Sequence, residues 1–190
     1  MHNKRARRVT PHGYTLIELI MVMAVLALAA ALLVPSMVGS DTMTAQAAVR
    51  LLIADLSFAQ SDALANQEYR RVVFFTDGSG YCIIEVAAAG EATPADLNDA
   101  VYVYDPLGTM GQYIVDFTVD DRFEGVSFTA VTIDGTALAD RPEITYDQMG
   151  GTVLSDNTPG IGGTVTLSFN GANYQIDIAP FTGKLTVLEL

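Results

Sequence analysis

Histidine, cysteine, tryptophan and positive charge are the scarce ingredients of this 190-residue chain. Tryptophan is absent, and the only histidines, His2 and His12, fall within the first thirteen residues. Beyond them, Ser-His-Asp and Cys-His catalysis and histidine-ligated metals are excluded. No GxGxxG or lysine-bearing phosphate loop occurs either. Cys82 is the single cysteine, so no intramolecular disulfide can form. It sits in the apolar run Tyr81-Cys82-Ile83-Ile84, which reads as a buried, inert thiol, with an intermolecular bridge as the other reading. Cations number ten against 22 acidic residues, a formal charge of −12. Such a surface disfavours nucleic acid and anionic lipid headgroups as partners. Carboxylates are spread too widely to single out a catalytic pair, so the chain reads as non-enzymatic.

The few cations are also unevenly placed. Lys4, Arg5, Arg7 and Arg8 precede Gly13-Tyr14-Thr15-Leu16-Ile17-Glu18, and an unbroken apolar run of 16 residues, 19–34, follows and ends at Pro35. Counted from Tyr14, the 21 residues to Val34 reach roughly 31 Å as helix, which matches a hydrocarbon core of about 30 Å. The segment can span a bilayer. Glu18 is the difficulty, because a carboxylate there costs on the order of 3 kcal/mol at mid-depth, and less near an end. It reads either as a side chain that snorkels to the interface or as a functional group.

An ordinary secretory signal places its small-residue cleavage site after the apolar segment. Here the small residue, Gly13, lies before it. Cutting at Gly13 removes the basic leader, keeps the helix and frees the amine of Tyr14, four residues from Glu18. In a bundle of such helices staggered by about one turn, Glu18 of one subunit meets the Tyr14 amine of the next. Each charge then gains a partner where unpaired charge is costly. The shortened chain keeps six cations against 22 acids, a net of about −16. The leader's charge orients it to the cytoplasm, with the remainder outside.

Gly13-Tyr14-Thr15-Leu16-Ile17-Glu18 and the helix after it resemble the processing and assembly signature of type IV pilins and pseudopilins. The resemblance implies cleavage after Gly13 by a prepilin peptidase, methylation of Tyr14, and Glu18 as the assembly carboxylate. Pro35 matches the position of a helix-bending proline in that family. Tyr14 stands where phenylalanine is more usual. Implied partners are other pilin or pseudopilin subunits, the peptidase and an inner-membrane assembly platform. The implied location is the inner membrane, single-pass, with an extracytoplasmic domain, and then a filament.

Four segments follow: a leader at 1–13, a transmembrane and assembly helix at 14–38, an amphipathic continuation at 39–69 and a globular β domain at 70–190. One helix is expected from Tyr14 to about Gln67, bent at Pro35. Val49, Leu52, Ile53, Leu56, Ala63 and Leu64 make a core-facing stripe, with Asp55, Asp62 and Asn66 on a polar side. Ala47, Leu51, Ala54, Phe58 and Ala65 form a second apolar strip, buried either within the domain or against neighbouring helices. Residues 71–76 and 81–87 flank Asp77-Gly78-Ser79-Gly80, a hairpin signal. Residues 164–169 and 174–179 flank a second, Asn170-Gly171-Ala172-Asn173. Further strands are expected at 101–104, 114–119, 126–133, 144–146 and 184–188, with loops at 88–100 and 150–163. The fold class is α+β: a long N-terminal hydrophobic helix packed on a C-terminal antiparallel sheet domain.

The run Val49-Arg50-Leu51-Leu52, Leu56-Ser57-Phe58-Ala59-Gln60-Ser61-Asp62-Ala63, Arg71-Val72-Val73-Phe74, and the ending Tyr174-Gln175-Ile176-Asp177-Ile178 with Thr182-Gly183-Lys184-Leu185, are similar to minor pseudopilin H of type II secretion and FimT-like minor pilins. Those relatives usually read Ala-Arg at Ala59-Gln60. The function expected is a minor pseudopilin or pilin-like structural subunit. The alternatives are a membrane-anchored acidic binding module and, disfavoured by charge, a DNA-uptake minor pilin. No cofactor is expected. Calcium is the one metal weighed, with Asp77 and Ser79, Asp116 with Asp120 and Asp121, and Asp96 with Asp99 as oxygen sources. Turn residues and a solvated acidic face explain the same carboxylates, and Asp77 and Asp134, each before glycine, fit turn geometry.

Overall fold

The structure, a computed structural model, describes residues 13–190, with the side chains of residues 31–42 outside the description. The helix α1, Leu16–Asn66, carries the chain from its apolar head into the globular part. The described chain divides at Gly39 and Ser40 into two compact units. α1 stops at a Schellman-type end: Gln67 is left-handed with φ 56°, and the Glu68 N–H donates to the Ala63 carbonyl at 3.2 Å.

Ten strands follow among the described residues, β1 Tyr69–Phe74, β2 Gly80–Val86, β3 Ile114–Asp116, β4 Ser127–Ile133, β5 Thr136–Ala137, β6 Glu143–Tyr146, β7 Thr152–Val153, β8 Gly163–Phe169, β9 Ala172–Ile178 and β10 Leu185–Glu189. They form two antiparallel five-stranded sheets, ordered β3-β2-β1-β6-β7 and β10-β9-β8-β4-β5. The architecture is α+β, with the second half of α1 and both sheets enclosing one core. Leu52 and Leu56 of α1 are fully buried, each contributing about 1.5–3 kcal/mol of transfer free energy. Phe74, Tyr81, Phe117 and Phe128 interlock beneath them at ring separations of 5.3–6.4 Å.

Both expected hairpins form. Tyr69–Phe74 pairs with Gly80–Val86, and Gly163–Phe169 with Ala172–Ile178. At the first turn Gly78 has φ +75°, and a Cβ there would stand 2.4 Å from the Phe128 carbonyl oxygen, so only glycine fits. At the second, Asn170 and Gly171 both take positive φ, the twist a two-residue hairpin requires.

Three expectations change. Residues 101–104 are held by single bridges, Tyr102 to Ile84 and Tyr104 to Gln112, rather than as a strand. The strand expected over 114–119 ends at Asp116, whose carboxylate accepts the Thr118 N–H and turns the chain. The loop over 150–163 contains the short β7.

Residues 88–100 are irregular as expected, yet part of them is fastened down. Arg71, 1% exposed, donates to the Ala89 and Glu91 carbonyls and to the hydroxyls of Thr93 and Thr145. Glu143 completes the pairing of that charge at 3.5 Å. The arrangement accompanies a second small core of Val73, Cys82, Ile84 and Val86 on the other side of β1 and β2. Burial pushes the Cys82 thiol up to about 12, so it stays protonated and unreactive at neutral pH.

Candidate functional site

The head of α1 is set by its own first residues. The Thr15 hydroxyl accepts the Glu18 N–H at 3.3 Å, and a Glu18 carboxylate oxygen accepts the Thr15 N–H at 3.5 Å. Thr15-Leu16-Ile17-Glu18 is therefore a capping box, which satisfies two donors a helix start leaves orphaned. The carboxylate also faces the positive end of the helix dipole. Gly13 and Tyr14 precede the helix as exposed, non-helical chain, with Tyr14 86% exposed. Thr15 had no role in the sequence reading. Its signal was present: a threonine three residues before a glutamate, just ahead of an apolar run.

From Leu16 to Leu28 every large apolar side chain of this unit is exposed, Ile17 at 74% and Leu28 at 68% among them. A stripe this continuous has no partner within its own unit and calls for an apolar surrounding. Among the described residues no helix is long and apolar enough to cross a membrane. The expected span over 14–34 extends into residues 31–34, and the expected bend at Pro35 falls there too, where side chains lie outside the description. The expected leader, apart from Gly13, also lies outside the described residues.

Along the second half of α1 the core stripe holds at Val49, Leu52, Leu56 and Ala63, while Ile53 is half-buried and Leu64 is exposed near the helix end. The second strip is not buried within the domain. Ala47, Ala54, Phe58 and Ala65 are exposed and Leu51 is half-buried. Phe58 stacks on Tyr113 with ring centroids 5.2 Å apart. Gln60 donates its amide to the Gly150 and Thr182 carbonyls, tying two loops to the helix.

Asp55 departs from its expected polar side. It is 5% exposed and accepts the Tyr81 hydroxyl at 2.6 Å and the Tyr113 hydroxyl at 2.8 Å. Burial raises its pKa, and the two hydroxyls oppose that shift without cancelling it. The reason lies in helix geometry: the buried face centres near Leu52, so Asp55 falls on its margin rather than opposite it. Asp62 is instead the partner of Arg70, a guanidinium 3% exposed that also meets Glu68 at 2.9 Å.

Four of the carboxylates considered as calcium donors, Asp77, Asp96, Asp116 and Asp120, accept hydrogen bonds from the chain itself. Asp77 accepts the Ser79 N–H at 2.9 Å and its hydroxyl at 2.7 Å, the backbone bond being the largest cause of its lowered pKa. Asp116 does the same for Thr118, and Asp96 accepts the Asn98 N–H. Asp120 pairs with Arg122, whose side-chain hydrogen bonds lower its pKa. Asp134 reaches beyond its own turn to the Ile161 and Gly162 N–H groups, which the turn alone did not foretell. Among the described residues no group of three histidine, cysteine, aspartate or glutamate side chains could hold a metal ion.

Residues 11–34 match the family model described as the prokaryotic N-terminal methylation motif. The matched segment includes Gly13, Tyr14, Thr15 and Glu18. Among solved structures, it is similar to the minor pseudopilin EpsH from the type 2 secretion system of Vibrio cholerae. That similarity has 13% identity and a TM-score of 0.45, over 76% of this chain and 96% of that one. None of the curated proteins matches.

Proposed function

We propose, from a methylation motif at the head of a helix whose large apolar side chains from Leu16 to Leu28 are all uncovered, that this chain is a pilin-like structural subunit. The motif at residues 11–34 is the observation that carries the reading. In it a prepilin peptidase cuts after Gly13 and the new N-terminus, Tyr14, is methylated. Exposure of Gly13 and Tyr14 ahead of the first helical turn leaves that bond accessible to such an enzyme. Residues 14–34 hold the precursor in the inner membrane as a single pass, with the acidic domain on the far side.

Assembly then proceeds through α1 with other pilin-like subunits at an inner-membrane platform. The exposed strip of Ala47, Ala54, Phe58 and Ala65 continues the apolar surface available to neighbouring helices. Contacts of this kind are heterologous and generate open helical polymers. The finer assignment is a minor pseudopilin of a type II secretion pseudopilus or an equivalent minor pilin. Mass spectrometry of the N-terminus of protein from its native host tests the reading: a methylated Tyr14 is expected, and residues 1–13 still attached would leave only an anchored acidic domain.

The proposed function requires no calcium. Asp77, Asp116 and Asp96 already accept backbone N–H hydrogen bonds that hold their own turns. Isothermal titration with calcium is expected to give neither heat nor a shift in melting temperature. A saturable exotherm would restore the acidic turns as a site.

A further inference from the structure

Four strands form the edges of the two sheets. β5 and β7 have two residues each and β3 has three, lengths that offer little template for a foreign strand. β10 is the exception, with five residues, Leu185-Thr186-Val187-Leu188-Glu189, exposed from Thr186 onward. Its apolar side chains are half open to solvent, Val187 at 42% and Leu188 at 46%. No proline interrupts it, and Glu189 is its one charge.

The ladder with β9 fixes which way its backbone points. The Ala179 N–H donates to the Lys184 carbonyl and the Leu190 N–H to the Asn173 carbonyl. Antiparallel pairing alternates, so positions 184, 186, 188 and 190 face β9, and Leu185, Val187 and Glu189 turn their N–H and C=O groups outward. Among the described residues no strand pairs with that side.

Charge marks the same place. Of six cations among the described residues, Arg70 and Arg71 are buried in ion pairs, Arg122 pairs with Asp120, and Arg141 donates to the Ala95 and Thr93 carbonyls. The remaining two, Arg50 and Lys184, make no salt bridge among the described residues. Both lie at β10. Lys184 immediately precedes it, and Arg50 lines a shallow groove of about 240 Å³ with Gln46, Ile53, Tyr174 and Val187.

We propose that β10 is a docking edge for an extended acidic segment of another polypeptide. The segment adds to the sheet as a sixth strand, closing hydrogen bonds with Leu185, Val187 and Glu189. Its apolar side chains cover Val187 and the groove, and its carboxylates meet Arg50 and Lys184. A short acidic segment sets its carboxylates directly on these two cations, whereas a second copy would bring with it a whole body of like net charge.

The probe is a labelled nonapeptide alternating valine with glutamate, added to the full processed chain in neutral detergent micelles and followed by fluorescence anisotropy. Saturable binding is expected, with slower hydrogen exchange at the amides of Leu185, Val187 and Glu189. Val187→Pro removes an outward N–H while leaving the ladder to β9 intact, and is expected to weaken binding about tenfold or more. Arg50→Glu, on an exposed helix surface, is expected to weaken it by a similar factor, while Val187→Thr retains it. The proposal is overturned by absence of saturable binding up to about 1 mM peptide, or by equal binding to all three variants. Sedimentation showing copies paired through β10 in the absence of peptide also overturns it.

Discussion

Glu18→Ala is expected to give a chain that enters the membrane normally but is not incorporated into filaments. Insertion is untouched because removing a carboxylate from the apolar segment lowers its transfer cost. Assembly fails because the Tyr14 amine of a neighbouring subunit loses its partner. Leaving one member of a buried ion pair alone costs about 3–5 kcal/mol, more than a hundredfold in each contact constant. The capping box supplies a competing explanation, since alanine also releases the Thr15 N–H. A lost cap is worth only about 0.5–2 kcal/mol, and the two causes separate with Glu18→Gln. Glutamine keeps the capping geometry but carries no charge. Filament incorporation measured by shearing and immunoblotting should be absent for both variants. Recovery in Glu18→Gln would assign the effect to the cap, and normal incorporation of Glu18→Ala would remove the charge pairing altogether.

The second large effect is expected at Asp55. Asp55→Ala strands the hydroxyls of Tyr81, which is fully buried, and of Tyr113, at about 1–3 kcal/mol each. A loss of about 2–4 kcal/mol is therefore expected in urea unfolding, a large share of what a domain of this size possesses. Asp55→Asn keeps an acceptor for one hydroxyl and separates contact from charge. Burial raises the folded pKa of Asp55 above its usual 3.8, so the folded chain holds this proton more tightly than the unfolded chain. Its contribution is fully present below 3.8 and is lost as pH rises through the folded pKa. Wild type should thus lose stability relative to Asp55→Asn as pH rises from about 4, then level off once the carboxyl has ionised. Asp77, Asp120 and Asp156 run the other way: their lowered pKa values add stability that disappears on acidification. A wild-type advantage over Asp55→Asn that grows with pH would show Asp55 to be held as a stabilised anion instead.

The elements most legible in the sequence were those with local causes. The helix expected from Tyr14 to about Gln67 runs Leu16–Asn66, through an unbroken apolar run and then an apolar stripe of helical period. The hairpins at Asp77-Gly78 and Asn170-Gly171 were readable because positive φ admits few residue types. The Thr15 cap is equally local, a threonine three residues ahead of a glutamate. The expected strand over 101–104 gave way to single bridges because its backbone bonds are shared between Ile83, Glu85 and Tyr113 rather than with one neighbour.

The sequence alone determined the apolar head with its single carboxylate, the acidic body, the helix and the two tight hairpins, all properties of residues close together in the chain. Tertiary structure decided which acid was buried, where Arg71 spends its donors, that Phe58 and its strip remain uncovered, and that β10 is left as a long open edge. The burial of Asp55 and the anchoring of Arg71 depend on residues 18 to 74 positions apart meeting in space. No window of sequence contains both partners, and a helix-face pattern tolerates a small rotation about the helix axis until a sheet packs against it.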